Sequence, residues 1–195
     1  MGKTLALFDF DHTLYSKDSL LEVTKHIVGR QNFLTGIAVL SPFLIMMKLG
    51  MLNNASTKQR YLAYFFKNMD YTYFKKASQD FALTKIEKDL DSKLKAALMS
   101  HINSGDDVYI VTASFADWIA PWCQKMNINI IASIPEITNG KVNGKISGLN
   151  CYGNEKVARI KKVIDLNSYE SIIVYGKGKG DREMLTLARD TNRSR

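Results

Sequence analysis

The sequence predicts an α/β fold, a doubly wound parallel sheet with an α-helical segment inserted after its first strand. Three observations predict it. The chain opens on an unbroken apolar run, Leu5-Ala6-Leu7-Phe8, as expected of a strand buried on both faces. Comparable runs, Asp107-Val108-Tyr109-Ile110-Val111 and Ser171-Ile172-Ile173-Val174-Tyr175, return later and alternate with helical patterns. Between the first run and the second, apolar residues recur at mixed three- and four-residue spacing, a helical period.

Taken in order, Leu5–Phe8 forms the first strand and ends in Asp9-Phe10-Asp11-His12-Thr13. Ser19-Leu20-Leu21-Glu22 has the form of a capping box, with Ser19 as N-cap. Helices follow to about His101, punctuated by turn signals at Gly50, Asn53-Asn54 and Asn68. This gives an inserted helical cap over 15–100, roughly 85 residues and so within the range of small domains. The α/β core would then comprise 1–14 and 101–195. After the second strand come a helix from about Phe115 and a third strand at Ile128-Asn129-Ile130-Ile131. Asn139-Gly140 and Asn143-Gly144 are both hairpin signals. A lysine-rich helix from Asn154 to Ile164 precedes the last strand, and a glycine-rich loop and a short helix from Asp181 close the chain.

The 195 residues are 46% hydrophobic and 24% charged, which is ordinary for a globular protein and excludes a disordered or fibrous one. The formal net charge of +8 points to anionic partners. The lysines are scattered apart from pairs such as Lys75-Lys76 and Lys161-Lys162, and no dense basic or aromatic-interleaved tract argues for nucleic acid. Two lone cysteines, Cys123 and Cys151, fit a reducing, cytoplasmic setting. The chain enters its first strand almost at once, so no secretory signal is expected.

Apolar strands rarely end in two acids one residue apart, because a buried charge is costly unless paired or metal-bound. Asp9 and Asp11 therefore read as a nucleophilic carboxylate and an acid/base partner beside a metal ion. In open parallel sheets, ligands bind beyond the carboxyl ends of the strands. Asp9, Asp11, Thr112 and the loop after Tyr175 all fall at those ends.

Four segments come in a telling order: Asp9-Phe10-Asp11-His12-Thr13, Val111-Thr112-Ala113-Ser114-Phe115, Gly153-Asn154-Glu155-Lys156-Val157, and Tyr175-Gly176-Lys177-Gly178-Lys179-Gly180-Asp181. Together they resemble the motifs of the haloacid dehalogenase-like (HAD) superfamily, whose core is Rossmann-like. The branch most resembled is the phosphoserine-phosphatase-like one, with a helical cap inserted after the first motif. The resemblance implies that Asp9 is a nucleophile forming an aspartyl phosphate and that Asp11 is the general acid, then base. It implies that Thr112 holds a phosphoryl oxygen and that Lys156 neutralises nucleophile and phosphate. It further implies a Mg²⁺ ion held by Asp9, Asp11 and Asp181. The fourth motif departs from the pattern, since Lys177 stands where the family usually carries an acid. Asp18 lies where phosphoserine phosphatases carry a substrate-reading acid, but as a helix-start acid it also suits the helix dipole.

Phe33 to Leu52 is strongly apolar, interrupted by Pro42, two glycines and Lys48. It reads as a helical hairpin that packs as cap core or against a second copy of the chain, or as a surface that touches membrane. The function expected is a Mg²⁺-dependent phosphomonoesterase, a phosphatase acting on a small phosphorylated metabolite. The alternatives are a phosphotransferase, a membrane-surface lipid-phosphate phosphatase, and a phosphate-binding module weakened by Lys177.

Overall fold

β1 (Thr4–Phe8) is central because nothing in it needs water: Leu5, Ala6, Leu7 and Phe8 are all fully buried. The computed structural model describes residues 3–189. β2 (Asp107–Phe115), β3 (Asn129–Ser133) and β6 (Ser171–Tyr175) complete a four-stranded sheet in the order β3-β2-β1-β6, parallel throughout. Leu5 and Leu7 face one apolar cluster with Val111, Ile131, Ile160 and Ile172. Ala6 and Phe8 face another with Val108, Ile110 and Trp122. Both faces are thus covered, as the doubly wound reading requires.

The register aligns Phe8 with Ile110 on one side and Tyr175 on the other. The segments that follow all three therefore emerge on one edge. β2 runs on past its neighbours, and its pairing with β3 shifts between Thr112 and Phe115. Such irregularities re-aim side chains at sheet edges.

Five helices lie between β1 and β2: α1 (Ser19–Val28), α2 (Arg30–Lys48), α3 (Asn54–Phe66), α4 (Tyr71–Thr84) and α5 (Ser92–Asn103). Their inner faces are apolar, and one cluster runs without a break from Phe8 and Phe10 into Tyr61, Phe66 and Phe74. The inserted helices thus share their core with one face of the sheet. α2 and α3 meet where Gly36 lies against Phe65: a Cβ on Gly36 would come within 2.3 Å of the Phe65 ring.

After β2 come a 3₁₀ turn, α6 (Ala120–Lys125), β3, and the hairpin β4 (Pro135–Thr138) and β5 (Lys141–Ile146). Asn139-Gly140 makes the hairpin turn, both residues at positive φ. Asn143-Gly144, expected as a second turn, lies inside β5 instead. Its glycine is needed for close packing: a Cβ there would sit 2.6 Å from the Cα of Ala63 in α3. The hairpin is fastened to the inserted helices by three backbone hydrogen bonds of 2.9 Å, from Asn68 N–H to Val142 O, from Val142 N–H to Met69 O, and from Tyr71 N–H to Gly140 O. The chain then forms α7 (Asn154–Val163), β6 and α8 (Arg182–Leu185).

The N-cap of α1 is Asp18, whose carboxylate accepts from the Leu21 N–H. Ser19, expected in that role, is the first helical residue and is fully buried. Its groups are used elsewhere: the N–H donates to Asp11, and the hydroxyl lies between Ser114 and Trp118.

Gly144→Ala tests the seating of the hairpin on α3. The added methyl meets backbone, at a φ of +82° that disfavours any side chain. The expected cost is about 2 kcal/mol, a fall in Tm of roughly 4–8 °C. An unchanged melting curve would contradict the packing described.

Candidate active site

The turn after β1 is tight. The Thr13 and Tyr15 N–H groups donate to Phe10 O, the Leu14 N–H to Asp9 O, and the His12 N–H to Lys17 O. His12 takes the left-handed conformation at φ 58°, which histidine adopts more readily than most side chains. This turn lets Asp9 and Asp11 leave the strand end in different directions.

Asp9 points to Lys156, which stands in the first turn of α7 and is only 2% exposed. The Lys156 ammonium donates to Asp9 Oδ1 at 2.6 Å, to Asp181 Oδ1 at 2.7 Å and to the carbonyl of Val111 at 2.8 Å. All three of its donors are used. Burial works against its charge, but the carboxylates of Asp9 and Asp181 outweigh this and hold the ammonium above its ordinary pKa. The aliphatic stem packs inside the fold, where a lysine is found only when paired.

Asp181 is 3% exposed. Its Oδ2 accepts from the Gly178 N–H at 2.8 Å, and its own N–H donates to Gly178 O. The loop from Gly176 thus curls around this carboxylate. The ring of Tyr152 lies against Gly180, where a Cβ would meet it at 2.3 Å. The Gly153 N–H donates to Gly180 O, locking the start of α7 to the same loop.

Two carboxylates on one ammonium leave a net charge of −1. Burial first, then the charge of Asp181, push the Asp9 carboxyl above its ordinary pKa, against the pull of Lys156. A divalent cation would favour the ionised form. Mg²⁺ takes oxygen ligands, keeps several waters and needs only one or two carboxylates from the protein, so the donor set fits it. Among the described residues no group of three or more His, Cys, Asp or Glu side chains is arranged to hold an ion. Asp9 and Asp181 come together, whereas the Asp11 carboxylate turns to other partners.

Asp11 Oδ1 accepts from the Ser19 N–H and Oδ2 from the Ser114 hydroxyl, both at 2.6 Å. Ser114 Oγ also lies 2.9 Å from Ser19 Oγ, to which the Trp118 indole donates. Burial, aided by the nearby charge of Asp18, raises the Asp11 carboxyl above its ordinary pKa, and the hydrogen bonds oppose this only in part. Thr112 is 1% exposed, and its Oγ1 accepts from the Ser114 N–H at 3.0 Å. Lys177 is exposed and makes no ion pair with Asp9 or Asp181 among the described residues.

The fold agrees with that of other proteins. The family model for haloacid dehalogenase-like hydrolases matches residues 6–186. The chain belongs to that family. Among its relatives is Protein CicA of Caulobacter vibrioides, 28% identical over 187 residues, which span 94% of this chain and 82% of CicA. Among solved structures, a protein of unknown function from Bordetella pertussis Tohama I matches with a TM-score of 0.79 at 21% identity, covering 96% of this chain and 88% of that one. A phospho-aspartyl intermediate analogue of phosphoserine phosphatase matches with a TM-score of 0.62 at 20% identity, covering 96% and 84%. At these identities the two structures establish a shared fold.

Three residues of the site, Ser19, Ser114 and Lys58, were given no site role by the sequence. Ser19 and Ser114 hold Asp11. Lys58, on α3, reaches the same edge and donates to Ala113 O at 2.8 Å and Asn150 Oδ1 at 3.2 Å. Burial lowers its pKa, opposed by the charges of Asp11 and Asp18. Among the described residues it has no carboxylate in ion-pair contact. Asp18 lies half-buried at the cap of α1.

Asp11→Asn tests the strain on the acid. The folded-state pKa of Asp11 lies above the unfolded one, so its ionised form costs folding free energy. That cost vanishes below the unfolded value and grows as pH rises through the folded one. In chelator, Asp11→Asn is expected to melt about 2–4 °C above the parent near pH 7, equivalent to about 1 kcal/mol. The gap should close as the pH falls towards about 4. A variant less stable than the parent at neutral pH would contradict the account.

Proposed function

We propose that the protein is a Mg²⁺-dependent phosphomonoesterase that works through an aspartyl phosphate on Asp9. The observation that carries this reading is the buried Lys156 ammonium shared by Asp9 and Asp181 at the carboxyl edge of the sheet. A fixed cation beside a carboxylate is the means by which an anion can approach a phosphate dianion. The family, and the fold shared with phosphoserine phosphatase, support the same chemistry.

In the first half-reaction an oxygen of Asp9 attacks phosphorus and the bond to the leaving alcohol breaks. Asp11 gives its proton to the leaving oxygen. An upward-shifted pKa suits a group that must carry a proton at neutral pH. In the second half-reaction Asp11, now ionised, takes a proton from water. The water oxygen attacks phosphorus and the bond to Asp9 breaks, releasing phosphate. Lys156 and Thr112 steady the phosphoryl oxygens. For Lys156 to reach one, its bond to Val111 O is the natural one to yield, since that partner is neutral. Asp9 and Asp181, the two acids that come together, would hold the Mg²⁺, which would supply positive charge against the transferring group.

The inserted helices would act as the cap over 15–100, together with the hairpin fastened to them. Lys58 is the group on that cap best placed to meet an anionic part of a small phosphorylated substrate. Substrate identity would then lie in the cap, and the chemistry in the sheet edge.

An aryl phosphate assay tests the reading. Turnover is expected with Mg²⁺, loss with chelator, and a loss of roughly a thousandfold or more in Asp9→Asn. Because Lys177 holds neither acid, Lys177→Asp should lower the Mg²⁺ concentration needed for half-maximal activity. Turnover undiminished in Asp9→Asn would overturn the mechanism. A fall in activity in Lys177→Asp would give that lysine a working role.

A further inference from the structure

We propose that the outer face of α2, with the turn that follows it, docks on an anionic lipid surface. The proposal is independent of the reaction assigned above. From Leu34 to Met47, α2 is apolar on nearly every side, with only Thr35 and Ser41 polar. Its inner side, with Gly36 and Leu40 buried, packs on α1 and α3. Its outer side is apolar too: Leu34 is 56% exposed, Val39 52%, Ile45 57%, Leu49 69% and Met51 66%. A helix without a polar face is normally covered on every side, and clustered exposed apolar side chains mark a contact surface. Among the described residues no helix is long and apolar enough to cross a membrane, so α2 would lie along the interface.

Charge decides what covers it. From Val23 to Met69 the chain has no Asp or Glu, yet it carries Lys25, Arg30, Lys48, Lys58, Arg60 and Lys67. All but Lys58 are exposed. Arg30 and Lys48 stand at the two ends of α2. They are separated by about five helical turns, so they project on the same side of the helix. The exposed apolar stripe thus has a cation at each end along one border. This arrangement presents hydrocarbon to the acyl boundary and basic groups to anionic headgroups.

A second copy of the chain fits poorly. Antiparallel pairing of two α2 faces would set Arg30 against Lys48, and parallel pairing would set each against its like. No carboxylate between residues 23 and 69 would relieve either. Docking would also bear on the sheet edge, because α3, which packs on α2, carries Lys58.

Vesicle flotation of the full chain tests this with phosphatidylcholine vesicles and with phosphatidylcholine–phosphatidylglycerol vesicles, none of them a phosphomonoester. Binding is read without turnover, so failure of the proposed reaction leaves the result interpretable. The protein is expected to float with the anionic vesicles at low salt and not with the neutral ones. Ile45→Asp combined with Leu49→Asp should weaken binding at least about tenfold. Arg30→Gln and Lys48→Gln should each weaken it about fivefold. These side chains are exposed, so Tm should hold in every variant. Three results would overturn the proposal: no flotation, flotation indifferent to the apolar substitutions, or a dimer in sedimentation that those substitutions dissolve without any vesicle binding.

Discussion

A single ammonium ties together the parts of this site that come from distant stretches of chain. Lys156 arrives on α7, Asp9 from the end of β1, Asp181 from the loop after β6, and Val111 O from β2. With all three N–H donors taken, the charge can stay buried; with any carboxylate partner lost, it could not do so cheaply. Breaking one member of a buried ion pair typically costs about 3–5 kcal/mol. The same contacts that fold the sheet edge therefore fix the position of the proposed nucleophile. Structure and chemistry are here one constraint.

The second carboxylate is held by different means. Among the described residues, Asp11 has no cation in ion-pair contact. It rests on the Ser19 N–H and the Ser114 hydroxyl, which are themselves joined to each other and to Trp118. The two acids, one residue apart, meet opposite surroundings. Asp9 faces fixed positive charge, whereas Asp11 faces neutral donors and a nearby like charge. Environments that differ in this way separate the roles of paired carboxylates.

The sheet was legible because its central strand is buried on both faces and so excludes polar residues over Leu5–Phe8, and because Ser171–Tyr175 repeats the same apolar run. Their shared edge followed from the parallel order alone. Lys156 was legible only through its motif, since one lysine on a basic helix looks like any other. The contacts of Ser114 and Lys58 were not legible: their partners lie 103 and 55 positions away, at Asp11 and Ala113. Two local signals misled for tertiary reasons. Ser19 could have capped α1, but the Asp11, Ser114 and Trp118 contacts recruit it, and Asp18 takes the cap. Asn143-Gly144 has turn chemistry, yet the close approach of Ala63 uses its glycine inside a strand.

The most direct test of the central claim is capture of the covalent intermediate. The enzyme would be mixed with a labelled phosphate ester, quenched in acid within its first turnovers and digested, and the label mapped by mass spectrometry. The expected result is a phosphoryl group on the peptide carrying Asp9, absent from Asp9→Asn and longer-lived in Asp11→Asn, where water activation is impaired. Turnover with no label on that peptide, or a label on another residue, would contradict the account.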